Sequence, residues 1–197
     1  MSPSRRVAGI VLAAGASTRL GEPKQLIELG GQPLVRRAAM SALEAGAHPV
    51  VVVLGAGGDQ ILPALDGLPG VRVALNTRWE TGLASSLGAG LAALTAEDDV
   101  DGALLLLADQ PFVDAHALRA LVEAFGEARI VASSYSNTVG VPAVIGREFF
   151  GELASLSGDR GAGPWLKRQT GVTPVPLPVS PLDIDTPDDV SLLRELD

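Results

Sequence analysis

Residues 7–24 read VAGIVLAAGASTRLGEPK, and this stretch decides the fold. Its first part, Val7–Ala13, is apolar almost throughout, with no polar alternation. Such a run reads as a strand buried on both faces, as parallel sheets require. The chain then passes straight into a loop of small, hydroxylic and cationic residues. Gly15 and Gly21 let the backbone approach a ligand, and loop N–H groups after a strand form an anion-binding concavity. Ser17 and Thr18 add hydroxyl donors. Arg19 and Lys24 add positive charge, and Pro23 stiffens the approach to Lys24. Arginine grips phosphate oxygens with a bidentate fork, whereas lysine acts as a point charge. Together these groups suit a triphosphate. The loop lacks the Gly-Lys-[Ser/Thr] ending of a Walker A loop, and its glycines are spaced too widely for G-x-G-x-x-G. The alternative is a plain β-to-helix turn with two solvated cations.

Working outward, apolar runs alternate with helical patterns. Further strands are expected at Val50–Leu54 and Val71–Leu75, and over residues 103–108 and 129–133. Helices are expected over 33–45, 83–94 and 115–125, with a short one near 59–65 that Pro63 limits. Pro33 suits a first turn and Gly46 a C′ position. This alternation predicts a three-layer α/β/α fold with a mostly parallel sheet. After residue 134 it weakens. Residues 139–145 read as a strand whose Val141-Pro142 pair is extended or at an edge. Residues 149–156 and 164–169 read as short helices, 172–179 as an irregular edge strand, and 187–196 as a terminal helix. With no internal repeat and no linker-like segment, residues 1–197 read as one domain.

Composition narrows the chemistry. The 197 residues include no cysteine, which removes disulfides, thiolate nucleophiles, iron–sulfur clusters and cysteine zinc sites. Only His48 and His116 are present, so a multi-histidine metal site is not expected. Aromatics make up 4%, too few for a base-stacking platform, and a net charge of -8 opposes duplex binding. Nucleic acid is therefore not an expected partner. Apolar runs are strand-length, so no membrane span is expected. Residues 1–6 carry no signal-peptide apolar region, which points to the cytoplasm.

Five motifs carry a resemblance. They are LAAGASTRLGEPKQL at 12–26, NTRWETG with Ser85-Ser86-Leu87 at 76–87, Asp109-Gln110-Pro111, Gly140-Val141-Pro142 with GDRG at 158–161, and DIDTP at 183–187. In this order the chain resembles the MobA-like nucleotidyltransferases, and within them the MocA-type molybdenum cofactor cytidylyltransferases. The resemblance implies the Rossmann-like nucleotidyltransferase fold and transfer of a nucleoside monophosphate, with pyrophosphate released. It implies CTP as donor, because LAAG accompanies cytidine use in the family, and molybdopterin-type molybdenum cofactor as acceptor. A molybdoenzyme that receives the product is a further implied partner. Lys24 and Arg19 take the catalytic role. Leu12, Ala13, Ala14, Gly15, Ser17, Lys24, Asn76, Gly82 and Ser86 take the nucleotide.

Asp109 closes the run LLLLAD, and a carboxylate just past a strand end is well placed to meet a ligand. A triphosphate travels with Mg²⁺, or Mn²⁺, which takes one or two carboxylates plus phosphate and water oxygens. The resemblance makes Asp109 a metal ligand and Asp185 a second one. Asp185 as a simple cap of the last helix stays open. Asn76 closing a turn and Ser85 or Ser86 capping a helix also stay open. The chain departs from the family pattern at Gly163, where relatives carry arginine, and at Thr77, where many carry proline. Both changes bear on the acceptor side.

Two rivals share these residues. One is a same-fold transferase with a sugar-phosphate or alcohol-phosphate acceptor. The other is a non-catalytic carrier of a cofactor or nucleotide. A redox role ranks last, because neither a G-x-G-x-x-G loop nor a cysteine pair is present.

Overall fold

A computed structural model describes residues 5–94, 98–135, 138–177 and 183–195. In chain order the elements are β1 (Val7–Ala13), β2 (Glu28–Leu29), β3 (Gln32–Pro33), α1 (Leu34–Glu44), β4 (Val50–Leu54), α2 (Gly58–Ile61) and β5 (Val71–Leu75). Then come α3 (Leu83–Ala92), β6 (Gly102–Leu107), α4 (Ala115–Ala124), β7 (Ile130–Tyr135) and β8 (Thr138–Gly146). The chain continues through α5 (Phe150–Ala154), α6 (Ala162–Leu166), β9 (Val172–Pro176) and α7 (Pro187–Glu195). Pro178, Val179 and Leu196, at the ends of two expected elements, lie outside the described residues.

The main sheet has the order β5-β4-β1-β6-β8-β7-β9. Its strands run parallel except β8, which is antiparallel to both neighbours. This explains why the alternation fades after residue 134. Residues 136–137 are all that separate β7 from β8, which suffices for a hairpin but not for a helical crossover.

The Val141-Pro142 pair lies inside the sheet, between β6 and β7, and not at an edge. The register breaks there: Ala132 pairs with Ala143, whereas Ser133 pairs with Gly140. A bulge is the place where an interior strand tolerates a residue without an N–H. The freed carbonyls find side chains instead. Ser133 Oγ donates to the Pro142 carbonyl at 2.7 Å, and the Tyr135 hydroxyl donates to the Val141 carbonyl.

Strand β1 is buried along its whole length. Helices α1 and α4 pack on one sheet face, and α3, α5 and α6 on the other. Helix α3 lies so close that a side chain at Gly90 would come within 2.6 Å of Ile10 Cγ2. A small third cluster, with Ile27, Leu34, Ile184 and Leu193 at its centre, seats α7 beside the loop that follows β1. Among the described residues, no helix is long and apolar enough to cross a membrane.

Candidate functional site

Strands β1 and β6 are neighbours, with Leu12 opposite Leu107. The Ala108 N–H donates to the Leu12 carbonyl at 3.1 Å, so the two following loops leave the sheet side by side. This is the carboxyl end of the parallel strands, where open α/β sheets hold ligands.

The loop after β1 is held from within. Ser17 has φ 52, and its carbonyl accepts from the N–H groups of Leu20 and Gly21. Its hydroxyl accepts from the Lys24 N–H at 3.0 Å, which closes the loop on itself. Gln25 then clamps the base of the loop. It is 2% exposed, and its Nε2 donates to the carbonyls of Ala13 and Gly15, both at 2.8 Å. With these carbonyls tied down, the N–H groups of residues 16–19 donate to no protein acceptor among the described residues. They are available to an anion.

Gln25 carries no signal in the sequence beyond its place after Lys24. A turn as short as Lys24–Leu26 has no periodicity to mark a buried face. Gln25→Leu strands the two carbonyls and is expected to cost about 1–3 kcal/mol. A lowered urea midpoint checks it.

Lys24 projects from this turn between two carboxylates. Its Nζ donates to Asp109 Oδ2, and to Asp185 Oδ1 at 2.9 Å. Arg19 approaches the other oxygen of Asp185 at 3.6 Å. Burial works to lower the Lys24 pKa, but the Asp109 and Asp185 carboxylates outweigh it and hold the ammonium above the ordinary lysine value. Asp183 moves the opposite way from an ion-paired acid. Burial raises its pKa, the Gln110 amide offsets part of this, and the charges of Asp109 and Asp185 add to the rise.

The C-terminal segment reaches the site by specific bonds. The Ile184 N–H donates to the Asp109 carbonyl at 3.0 Å, and Gln110 Nε2 donates to Asp183 Oδ1 at 3.0 Å. Fully buried Ile184 anchors the segment from below. The start of α7 is closed by Thr186 and Asp189, not by Asp185. Asp189 Oδ2 accepts from the Thr186 N–H at 2.7 Å, and the Asp189 N–H donates back to Thr186 Oγ1 at 3.3 Å. This reciprocal pair is a capping box. It leaves the Asp185 carboxylate turned to Lys24 and Arg19. Thr186→Ala is expected to cost about 1 kcal/mol, read as a lowered melting temperature.

A cavity of about 180 Å³ opens beside this cluster. Leu12, Ala13, Ala14, Gly15, Lys24, Ser86 and Asp109 all line it, so most of the residues singled out from the sequence meet there. Asn76 does not. It is buried, its Nδ2 donates to Ser85 and Ser86, and its Oδ1 accepts from the Arg78 N–H at 2.9 Å. It fixes the start of α3 and thereby Ser86. Gly82 has φ 106, and a side chain there would strike the Gly158 carbonyl carbon at 2.4 Å. Gly82 thus lets the 158–161 segment lie against the head of α3.

The family model for the MobA-like NTP transferase domain matches residues 9–172. The chain belongs to the MobA-like NTP transferase family. Among curated proteins similar to this chain, nicotine blue oxidoreductase of Paenarthrobacter nicotinovorans is 36% identical over 172 residues, 83% of this chain and 82% of that protein. The 3-deoxy-manno-octulosonate cytidylyltransferase of Methylococcus capsulatus is 37% identical over 164 residues, 79% of this chain and 62% of the relative. The crystal structure of Rv0371c from Mycobacterium tuberculosis H37Rv matches this MobA-like chain with a TM-score of 0.84 at 32% identity, covering 98% of this chain and 100% of that one. A complex of Rv0371c with manganese matches with a TM-score of 0.78 at 31% identity, over 96% and 98% of the two chains.

The residues of this chain fit a hard divalent cation. Among the described residues, Asp109 Oδ1 is buried and has no hydrogen-bond partner, although Oδ2 of the same carboxylate holds Lys24. Asp185 supplies a second carboxylate, about half exposed. Oxygen donors of this kind suit Mg²⁺ or Mn²⁺. Among the described residues, no group of three or more acidic or histidine side chains is arranged to hold a metal. Phosphate and water oxygens would complete the shell.

Proposed function

We propose that the chain transfers CMP from CTP to a phosphate-bearing acceptor, the molybdopterin form of molybdenum cofactor, and releases pyrophosphate. The observation that carries this reading is Lys24, held by Asp109 and Asp185 beside a loop with free N–H groups. An acceptor phosphate oxygen attacks the α-phosphorus of CTP in line. The new P–O bond forms as the bond from the α-phosphorus to the β-phosphate oxygen breaks, and the electron pair leaves with pyrophosphate. The loop N–H groups and Arg19 hold the departing phosphates. Lys24 neutralises charge that grows on the transferred and leaving groups. Ala13, Ala14, Ser86 and the walls around them position the nucleoside. Asp109 and Asp185 would hold Mg²⁺ or Mn²⁺, which supplies charge neutralisation at the phosphates when bound. With little covalent chemistry left to the protein, the rate comes from alignment and fixed charge. A cytoplasmic setting and hand-over of the product to a molybdoenzyme go with this reading. Pyrophosphate release, assayed with CTP, GTP and ATP with and without molybdenum cofactor, tests it: release with CTP and cofactor together is expected.

One finding favours a second reading. The oxidoreductase of P. nicotinovorans is 36% identical over four fifths of both chains. On that reading the chain would change the oxidation state of nicotine blue when a redox partner is supplied, and would release no pyrophosphate. The same protein sample in the two assays separates the readings.

A further inference from the structure

A separate cavity, of about 350 Å³, shares no lining residue with the one at Lys24. It runs along α1 where that helix meets the first turn of α4. One wall is the stripe Arg37, Met40, Ser41 and Glu44, whose spacing puts all four side chains on one helix face. Asp114 and Ala115 form the facing wall. Along the stripe the character passes from cationic through apolar to anionic. Arg37 and Glu44 stand two turns apart, about 10 Å along the helix axis. Neither charge is answered inside the protein. The partly buried Arg37 has its Nε fully enclosed and without a hydrogen-bond partner among the described residues. Among the same residues, neither its guanidinium nor the exposed Glu44 carboxylate joins an ion pair. Asp114 is committed in part: its Oδ1 caps α4 by accepting from the Ala117 N–H at 2.8 Å. A buried donor left unpaired costs stability, so Arg37 Nε calls for an acceptor from outside the chain.

We infer that this cavity binds a small aliphatic zwitterion, with a carboxylate and an ammonium at opposite ends of a short alkyl chain. The carboxylate takes the Arg37 fork, in which Nε–H and Nη–H donate side by side to two oxygens. The alkyl chain lies over Met40 and removes its surface from water. The ammonium goes to Glu44, with Asp114 across the cavity. A simple anion such as phosphate meets two carboxylates against one arginine, so charge opposes it. A simple amine leaves Arg37 Nε unpaired. No group assigned to the transfer reaction takes part, so the inference stands apart from that reading.

The test is a titration at low ionic strength, followed by the Nε–H signal of Arg37 in a proton–nitrogen correlation spectrum and assigned by its loss in Arg37→Lys. The probe is 6-aminohexanoate, with hexanoate, hexylamine and inorganic phosphate as the one-charge and anion controls. The probe is expected to shift the Arg37 signal saturably. Hexylamine, which leaves the buried donor unpaired, is expected to bind at least tenfold more weakly. Hexanoate and phosphate are expected to bind at least threefold more weakly, a smaller loss because Glu44 is exposed and its charge is screened. Calorimetry on Arg37→Gln is expected to show at least a tenfold loss of 6-aminohexanoate affinity, with CTP affinity within twofold of the parent. No saturable shift overturns the inference. So does hexanoate or phosphate binding as tightly as the zwitterion, which makes the cavity a plain anion site. An Arg37→Gln protein that binds the probe like the parent also overturns it. Should that variant not fold, the ranking of the four probes on the parent decides alone.

Discussion

Replacing Lys24 with methionine is expected to lower the rate of pyrophosphate release by about 10²–10³-fold, the usual loss when one aligned charge donor leaves a reacting centre. Methionine keeps the apolar stem, which is largely buried, and removes the ammonium. Among the described residues that line this cavity, no second cation replaces that charge. Arg19 is 73% exposed and lies on the solvent side of Asp185. A second effect has the opposite sign. In the parent, the Lys24 ammonium stands between Asp109 and Asp185, so a divalent cation must compete with it for the same two carboxylates. Without the ammonium, Mn²⁺ alone is expected to bind more tightly, as read by the loss of its free electron-spin-resonance signal. Slower turnover together with tighter Mn²⁺ binding separates lost charge from general damage. Turnover within threefold of the parent removes Lys24 from the chemistry.

Asp109→Asn is the second large effect. The substitution conserves shape but converts one carboxylate oxygen into an N–H₂ group. If that group faces Lys24 Nζ, two donors oppose each other; if it faces the other way, the buried Oδ1 position loses its charge. Either arrangement weakens the cation site. The expected result is a loss of metal-dependent turnover of about 10²-fold or more, in line with the several kcal/mol such a cation supplies. The Mn²⁺ concentration for half-maximal turnover is expected to rise in parallel. An unaltered metal dependence takes Asp109 out of the metal site.

Much of the fold is legible in the chain because parallel strands buried on both faces write themselves as unbroken apolar runs, as Val50–Leu54 does. The β7–β8 hairpin is less so. A run such as 139–145 shows that a strand exists but not which neighbours it takes, and proline at 142 argues for an edge until the bulge opposite Ser133 is seen. At the site, the cations and Asp109 stand out by residue type and by position after a strand. Asp185 is ambiguous from its sequence neighbourhood alone, although Thr186-Pro187-Asp188-Asp189 fits a capping box that releases it. Gln25 and Ile184 act through burial and backbone bonds made across the fold, which residue type and spacing do not encode. Asn76 is singled out as a nucleoside contact, yet its amide is committed to Ser85, Ser86 and the Arg78 N–H. That is the turn-closing use of asparagine.

Pyrophosphate release, with CTP, magnesium and molybdenum cofactor supplied together, tests the central claim most directly. Stoichiometric pyrophosphate with CTP, dependent on the acceptor and lost in Lys24→Met, is the result the proposed function predicts. No pyrophosphate from CTP, GTP or ATP, with the acceptor and a divalent cation both present, would contradict it.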